Sequence, residues 1–345
     1  MNNNHSIFKD EMAHMHKLTI ALITLLFLIT GCGDPVQEQL DAQIPLTEQR
    51  VKQLGDMLDN NQVRNAKLIT QYAEHLAGQK PQFLPLIDEF KKDAGTQGPM
   101  YLALLDRLKT VKEQPQMFAS SQARFEELLN IYQAADPILF SDALSDPLNV
   151  LSDMSDGELP RVNAMSKSQS LAANNAQDFG VGEQLIGNPS YGQWQTDSSG
   201  TSFWMWYGMY RMLDDVLDID GFGKRKRRVY YHNWGSKRNY SYYHDYGRTR
   251  FSSPTQLQKQ SQIENRTRKS FQGGQQKFTS AYGKNRSGAS GVSSQSKTAQ
   301  ASANKFRTNN AKKSTYAKSS NSKYAKSASF RNSSSSTTRG FRRGK

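Results

Sequence analysis

The chain has 345 residues, with 45 Lys/Arg against 31 Asp/Glu and a formal net charge of +14. The charge is divided unevenly: residues 33–220 hold 14 basic and 27 acidic side chains, whereas residues 221–345 hold 29 and 2. An acidic body followed by a basic tail indicates an interaction tail rather than a uniformly basic fold. Because Cys32 is the only cysteine, an intramolecular disulfide and a multi-cysteine zinc site are excluded.

The first segment of the chain has the layout of an export signal. Residues 18–30 form an apolar run interrupted only by threonines, and the basic pair His16-Lys17 precedes it. A helix that spans a bilayer needs about 20 apolar residues, so the run fits the core of a signal peptide better than a membrane span. The alternative is an uncleaved, short membrane anchor with an incidental cysteine. Met15 offers a second start that would give a more compact leader.

The end of this segment, Ile29-Thr30-Gly31-Cys32, resembles the lipobox of bacterial lipoproteins. The resemblance covers only the leader, and it implies a signal peptide over residues 1–31 and fatty acids such as palmitate on Cys32. Two or more acyl chains hold a protein firmly on a membrane, so this lipid would suffice as the anchor. By the same resemblance, Gly33 rather than aspartate after the cysteine implies the outer membrane of the cell envelope.

Residues 47–135 carry apolar side chains three and four positions apart, as amphipathic helices do. After a spacer over residues 32–46, we expect five helices that begin at or near Thr47, Gln62, Phe83, Pro99 and Ser121. Each apolar stripe covers one face, so the helices must pack together as a small bundle. The predicted core consists of Val51, Leu54, Leu58, Val63, Ala66, Ile69, Ala73, Leu76, Leu86, Ile87, Phe90, Tyr101, Leu104, Leu105, Leu108, Val111, Phe125, Leu128, Leu129 and Tyr132.

Residues 136–201 read as an acidic and polar linker. Asp142, Asp146 and Asp153 punctuate a stretch with proline and glycine, but the spacing of an EF-hand calcium loop is absent. We therefore expect a solvated linker without a metal site.

Residues 202–220 form an aromatic amphipathic segment with two interpretations. It is either a last helix that docks onto the bundle, or a contact for a membrane interface or a protein, where Trp and Tyr are enriched. With the start of the next segment, it supplies the predicted aromatic contacts Trp204, Trp206, Tyr207, Tyr230, Tyr231 and Trp234.

Residues 221–251 form a strip in which basic and aromatic residues alternate. Its predicted polyanion-binding residues are Lys224, Arg225, Lys226, Arg227, Arg228, Lys237, Arg238 and Arg248. The pattern is typical of proteins that bind single-stranded nucleic acid, and it equally suits phosphates at a lipid surface. The leader favours the second reading, with anionic lipid, lipopolysaccharide or cell-wall polymer as the ligand and nucleic acid as the alternative.

Residues 252–345 are rich in Ser, Asn, Gln, Lys and Arg and poor in aliphatic residues, so we expect a largely disordered tail. This tail either reaches for polyanions or acts as a solubilising extension. A further hypothesis is a self-assembling scaffold, in which the basic tail of one molecule meets the acidic body of another.

Catalytic motifs are absent from the sequence. Beyond Cys32 the only histidines are His75, His232 and His244, and no serine-hydrolase, zinc-protease, phosphate-loop or dinucleotide motif accompanies them. We expect a mainly α protein: a small helical bundle followed by a long, largely disordered basic C-terminal tail. Its expected function is that of a non-enzymatic, membrane-anchored envelope lipoprotein without metal or cofactor. The helical body would contact a protein partner and the cationic tail would contact polyanionic envelope surfaces.

Overall fold

The computed structural model of the protein describes residues 35–163, 171–172, 175–216, 228–270, 293–299 and 301. Within these residues the protein is mainly α-helical and contains one two-stranded sheet, which confirms the predicted fold class. The leader with Cys32, the basic residues 224–227 and residues 302–345 lie outside the described residues. The predictions of lipidation and of a disordered tail end therefore fall on residues that the structure does not describe.

Five helices form the first half of the described chain. They are α1 (Pro35–Asp59), α2 (Arg64–Gln79), α3 (Leu84–Asp93), α4 (Pro99–Glu113) and α5 (Ser121–Ala134). Helix α1 packs against α5 and α4, while α2 packs against α3. Most of the predicted stripe is buried, but Leu105 is 41% exposed, so its assignment to the core is wrong. Phe125, Leu129 and Tyr132 are half-buried.

The first helix is longer than the sequence predicts. It begins at Pro35 rather than Thr47, so the spacer predicted over residues 32–46 is wrong wherever the structure describes it. Pro45 lies inside the helix, where a proline removes a backbone hydrogen bond at a cost of about 3 kcal/mol. Leu40 and Thr47, on either side of it, are fully buried, and their packing offsets part of this cost.

Residues 136–163 are not a solvated linker. They contain α6 (Pro137–Ala143) and α7 (Ser145–Met154), and every residue from 141 to 152 is buried. Helix α7 packs against α2 and α3 and so lies in the interior of the fold.

The polar side chains of α7 are satisfied by the loop that follows the helix. The Asn149 side chain donates to the Val162 carbonyl at 2.8 Å and accepts from the Val162 N–H at 2.7 Å. The Ser152 hydroxyl donates to the Leu159 carbonyl at 2.5 Å. These residues look solvated in the sequence because the pattern shows their polarity and not their partners.

Residues 192–216 form a hairpin and a short helical stretch instead of a loop followed by an amphipathic helix. Strands β1 (Gly192–Thr196) and β2 (Ser202–Trp206) pair antiparallel, with Trp194 opposite Trp204. Burial along β2 alternates with the period of two that a strand imposes. The chain then passes through a 3₁₀ helix and α8 (Leu213–Val216). The 3₁₀ helix packs on α3, so this segment does contact the bundle.

Residues 228–270 fold back onto the helices. They contain α9 (Tyr231–Lys237), a π-helical turn and α10 (Pro254–Ser270). The boundary predicted for the tail at residue 252 is therefore wrong, because α10 follows it. A further helical turn occupies residues 294–299.

Candidate ligand-binding surface

Asp146, in the first turn of α7, binds the segment that carries the predicted basic aromatic strip. Its carboxylate oxygens accept hydrogen bonds from the N–H of Tyr242 at 2.8 Å and of Tyr243 at 2.9 Å, and from the Ser241 hydroxyl at 3.2 Å. Burial raises the pKa of Asp146 to about 7, although these three donors act in the opposite direction. One acidic side chain thus fixes the path of the strip across the fold.

A second anchor joins α4 and α5 to the end of the strip. Arg107 Nε donates to Glu127 Oε1 at 2.6 Å, and both side chains are 4% exposed. The Arg107 guanidinium also donates to the backbone carbonyl of Arg250, a residue that is buried in its turn. Removing one partner of such a pair is costly because the other charge stays desolvated.

A third anchor surrounds Glu183. Its Oε1 accepts from the Asn239 amide at 3.0 Å, and its Oε2 accepts from the N–H of Phe179 at 3.2 Å. The Arg161 guanidinium lies 3.8 Å from the same carboxylate and donates two hydrogen bonds, at 2.7 and 2.5 Å, to Asp153. Asp146, Asp153 and Glu183, three acidic residues of the predicted linker, therefore serve as internal attachment points.

The aromatic residues of the hairpin and of α9 pack on one another. The ring of Trp194 lies 5.2 Å from that of Trp204, 4.8 Å from Tyr231 and 5.3 Å from Trp234, centre to centre. Trp204, Trp206, Tyr231 and Trp234 are all buried. The apolar surface of these four lies in the core, whereas Tyr207 and Tyr230, the other two predicted contacts, are partly exposed.

Two arginines of the predicted polyanion site are also used internally. Arg238 lies 2.9 Å from an Asp245 carboxylate oxygen, and Arg248 lies 2.7 Å from one of Glu264. Both arginines are mostly buried and face a carboxylate of the protein, so the structure does not present them at the surface as it presents Arg228. Lys237 is exposed at the end of α9.

Of the histidines that the structure describes, His244 and His75 each lie beside a polar group of the protein. His244 Nε2 lies 3.0 Å from the Ile186 carbonyl, and burial, followed by Arg238 and Arg248, holds the pKa of His244 well below its usual value. His75 is exposed and lies 3.1 Å from Glu158. Among the described residues, no group of three His, Cys, Asp or Glu side chains could hold a metal ion. No helix in this part of the chain is long and apolar enough to cross a membrane.

The outward side of the hairpin is a partly exposed surface on which Arg228 lies. Gln193 pairs with Met205 and Gln195 with Phe203, so these side chains share the side opposite the buried tryptophans. Tyr230 bridges to Phe203 and extends the surface by one position. We call this surface the hairpin face, and its members are Gln193, Gln195, Phe203, Met205, Arg228 and Tyr230.

Arg228 is the exposed cation of the hairpin face. Its guanidinium carbon lies 4.6 Å from the centre of the Phe203 ring, within the range of a cation–π contact. Tyr207, which is 39% exposed, donates to the Gln193 side chain at 3.3 Å at the edge of the face. Hydrogen bonds from Ser199 and Thr201, with a smaller effect of Arg228, lower the pKa of the neighbouring Asp197.

Four members of the hairpin face, Gln193, Gln195, Phe203 and Met205, are absent from the predicted site. The signal for them is present in the sequence: Gln-Trp-Gln and Phe-Trp-Met-Trp alternate with period two on either side of Asp-Ser-Ser-Gly, a turn sequence. Gly200 in that turn has a φ of +82°, which favours glycine. The alternation predicts a hairpin with one buried and one exposed side.

Comparisons were made with protein-family models, with characterised proteins and with solved structures. The chain matches none of them.

Proposed function

We propose that the protein is a non-enzymatic, lipid-anchored envelope protein that binds phosphate-bearing envelope molecules through the hairpin face. The observation that carries the proposal is the position of Arg228, an exposed guanidinium stacked on Phe203 at the surface of the hairpin. A stacked guanidinium is held in place and keeps its N–H groups available for the oxygens of an anion.

The sequence around Arg228 strengthens the electrostatic argument. Arg228 is the last of five consecutive basic residues, Lys-Arg-Lys-Arg-Arg at 224–228, and it is the one that the structure describes. Each Lys or Arg near an anionic surface contributes about 1 kcal/mol of binding free energy, and salt weakens this contribution. We infer that the face and the basic run bind the same polyanion.

The other side chains of the hairpin face suit a ligand that combines phosphate with an uncharged part. Phe203 and Tyr230 offer rings, while Gln193 and Gln195 offer amides that both donate and accept hydrogen bonds. The phosphates of lipopolysaccharide and of anionic phospholipids both fit this chemistry. Base stacking on a nucleic acid has fewer platforms than the sequence indicates, because four of the six predicted aromatic contacts are buried.

The envelope address comes from the leader. A signal-peptide core followed by Ile29-Thr30-Gly31-Cys32 supports export and attachment of lipid to Cys32. Incorporation of a labelled fatty acid into the wild type, but not into Cys32→Ser, is the expected result. Label on neither protein would contradict the proposed attachment to the envelope, and envelope ligands would then no longer be preferred.

Binding of the full chain to vesicles tests the ligand. We expect salt-sensitive binding to vesicles that contain lipopolysaccharide or phosphatidylglycerol and weak binding to phosphatidylcholine alone. The variant Arg228→Gln should bind about fivefold more weakly, as expected for the loss of about 1 kcal/mol. Lys67→Gln is the matched control, since it removes the same charge from an exposed site on α2.

The two vesicle types separate the sources of phosphate. Preference for lipopolysaccharide identifies a saccharide-linked phosphate, and equal binding identifies a general anionic surface. Equal losses for Arg228→Gln and Lys67→Gln would contradict a role for the hairpin face. Tighter binding to single-stranded DNA than to either vesicle at the same salt concentration would move nucleic acid to first place.

A further inference from the structure

Residues 293–299, which we call the seated segment, form hydrogen bonds to a buried carboxylate of the body. Oδ2 of Asp142, in α6, accepts from the N–H of Ser293 at 3.1 Å, from the Ser293 hydroxyl at 2.5 Å and from the Ser296 hydroxyl at 2.7 Å. Asp142 is 6% exposed and Ser296 is 1% exposed. Ser293 and Ser296 are thus the two side chains that this carboxylate recognises.

Two neighbouring side chains complete this binding site. The Tyr242 hydroxyl lies 2.7 Å from the Ser296 hydroxyl, and the Asn163 amide donates to the other oxygen of Asp142 at 3.3 Å. We call Asp142, Asn163 and Tyr242 the serine receptor. Beside it, a cavity of about 430 Å³ is lined by residues of α1, α5 and α6 and by residues 294–299. A binding site made of polar groups and open on one side suits a segment that can dissociate from it.

Hydrogen bonds within the segment hold its two serines in position for this contact. The N–H of Ser296 donates to the Ser293 hydroxyl at 3.1 Å, and the N–H of Lys297 donates to the Ser293 carbonyl at 3.2 Å. Ser293 therefore caps the helical turn that it begins, as serine commonly does. Ser294, Gln295 and Lys297 are exposed, so the receptor constrains the first and fourth positions and leaves the second, third and fifth open.

The same five-residue pattern recurs in the tail. Residues 293–297 read Ser-Ser-Gln-Ser-Lys, and residues 319–323 read Ser-Ser-Asn-Ser-Lys. The two sequences differ only at the third position, which is exposed in the seated segment and carries an amide in both. The serines that Asp142 contacts are present in both. The tail thus carries a second sequence with the groups that the receptor binds.

We propose that the serine receptor of one chain binds residues 319–323 of a second copy of this chain, so that molecules associate head to tail. The body of residues 33–220 has 14 basic and 27 acidic side chains, and the region of residues 221–345 has 29 and 2, so the charges favour this pairing. A contact between two different surfaces can extend into open chains of molecules. The inference rests on the receptor alone and does not depend on the hairpin face.

The first motif competes with the second for the receptor. It belongs to the same chain as the receptor it contacts, so binding is intramolecular and does not depend on the concentration of the protein. The chain's own motif therefore prevails in dilute solution. Exchange with another copy becomes effective where the local concentration of the protein is high, as on a shared surface.

Disulfide trapping between two single-cysteine chains tests the proposal in the full chain. In a Cys32→Ser background, one chain carries Gln133→Cys beside the cavity and the other, with a size tag, carries Asn321→Cys in the second motif. Gln133 and Gln295 line the same cavity, so the equivalent of Gln295 should reach the new thiol. The control chain carries Asn309→Cys in place of Asn321→Cys, because no two serines spaced three positions apart surround Asn309. We expect the Asn321→Cys chain to give about tenfold more mixed dimer, because hydrogen bonds to a carboxylate strongly favour the bound state.

Two double serine variants should change the yield of mixed dimer in opposite directions. Ser319→Ala with Ser322→Ala in the Asn321→Cys chain should reduce the mixed dimer to the level of the control. Ser293→Ala with Ser296→Ala in the Gln133→Cys chain should increase it several-fold, because the competing motif has lost its contacts. Equal yields from Asn321→Cys and Asn309→Cys, or a yield that does not change when the serines of the first motif are replaced, would overturn the proposal.

Discussion

The helices α1 to α5 bury mainly apolar side chains, whereas α6, α7, the hairpin and residues 228–252 bury carboxylates, amides and hydroxyls among aromatic rings. The first region follows from the spacing of Leu, Ile and Val, since any apolar neighbour of suitable size satisfies such a face. In the second region, each buried polar group needs a particular partner at hydrogen-bond distance. The difference teaches that polarity along the chain does not decide burial when the partners lie elsewhere in the sequence.

The buried ion pair of the first region, whose Arg107 also donates to the Arg250 carbonyl of the second region, should give the largest effect. We expect Glu127→Ala to lower the free energy of unfolding by about 3–5 kcal/mol, because the Arg107 charge would stay buried without its partner. Urea denaturation measures the change. The control is Glu113→Ala, which removes an exposed pair with Lys109 and should cost less than about 1 kcal/mol. Similar losses in the two variants would contradict the role assigned to the buried pair.

Within the bundle, two adjacent leucines of α4 provide a matched test. Leu104 is 1% exposed and Leu105 is 41% exposed. Leu104→Ala should cost about 2–5 kcal/mol, as is typical of a cavity in a core, and Leu105→Ala should change stability by no more than about 0.5 kcal/mol. The same denaturation measurement compares them, and a large loss for Leu105→Ala would show that this position is covered.

In the second region, Asp146→Asn should cost about 1–3 kcal/mol, because the amide keeps one acceptor oxygen and loses the other. The effect should be local. We expect faster hydrogen exchange at the amides of Tyr242 and Tyr243, while the amides of α2 and α3 keep their protection. Uniform acceleration throughout the molecule would argue against two regions of different construction.

The pH dependence of stability should give the most gradual effect. The pKa of Asp146 is about 7 in the folded protein against 3.8 as the ordinary value, so the folded state keeps a proton that the unfolded state loses in this window. Stability contributed by this group is fully present below about pH 4 and declines as the pH rises to about 7, by roughly 1 kcal/mol per pH unit. The slope should be smaller in Asp146→Asn, and identical slopes would contradict the assignment.

The sequence predicts the bundle well and the second region poorly. Pro99 and Ser121 begin helices as expected, because helix starts have local signals. Asp136-Pro137 is also such a signal: Asp136 accepts from the N–H groups of Ile138 and Leu139 and caps α6, in the region predicted to be a linker. The hairpin is likewise encoded by its alternation.

The partners of the buried acids could not be predicted. Asp146 lies 95 to 97 positions before Ser241, Tyr242 and Tyr243, and no periodicity connects residues so far apart. The same reason applies to the basic aromatic strip. Arg238 and Arg248 look available for a polyanion because the sequence does not show that Asp245 and Glu264 face them.

The separation of Asp146 from its partners also has a consequence for the order of folding. Contacts among α1 to α5 need only residues 35–134, but α7 cannot satisfy its carboxylate until residue 243 is available. Closing a loop of this length loses conformational entropy before any contact forms to offset the loss. The second region should therefore form in a later and slower step. During synthesis, the chain passes through a stage in which half of it can be native while its future centre is still exposed.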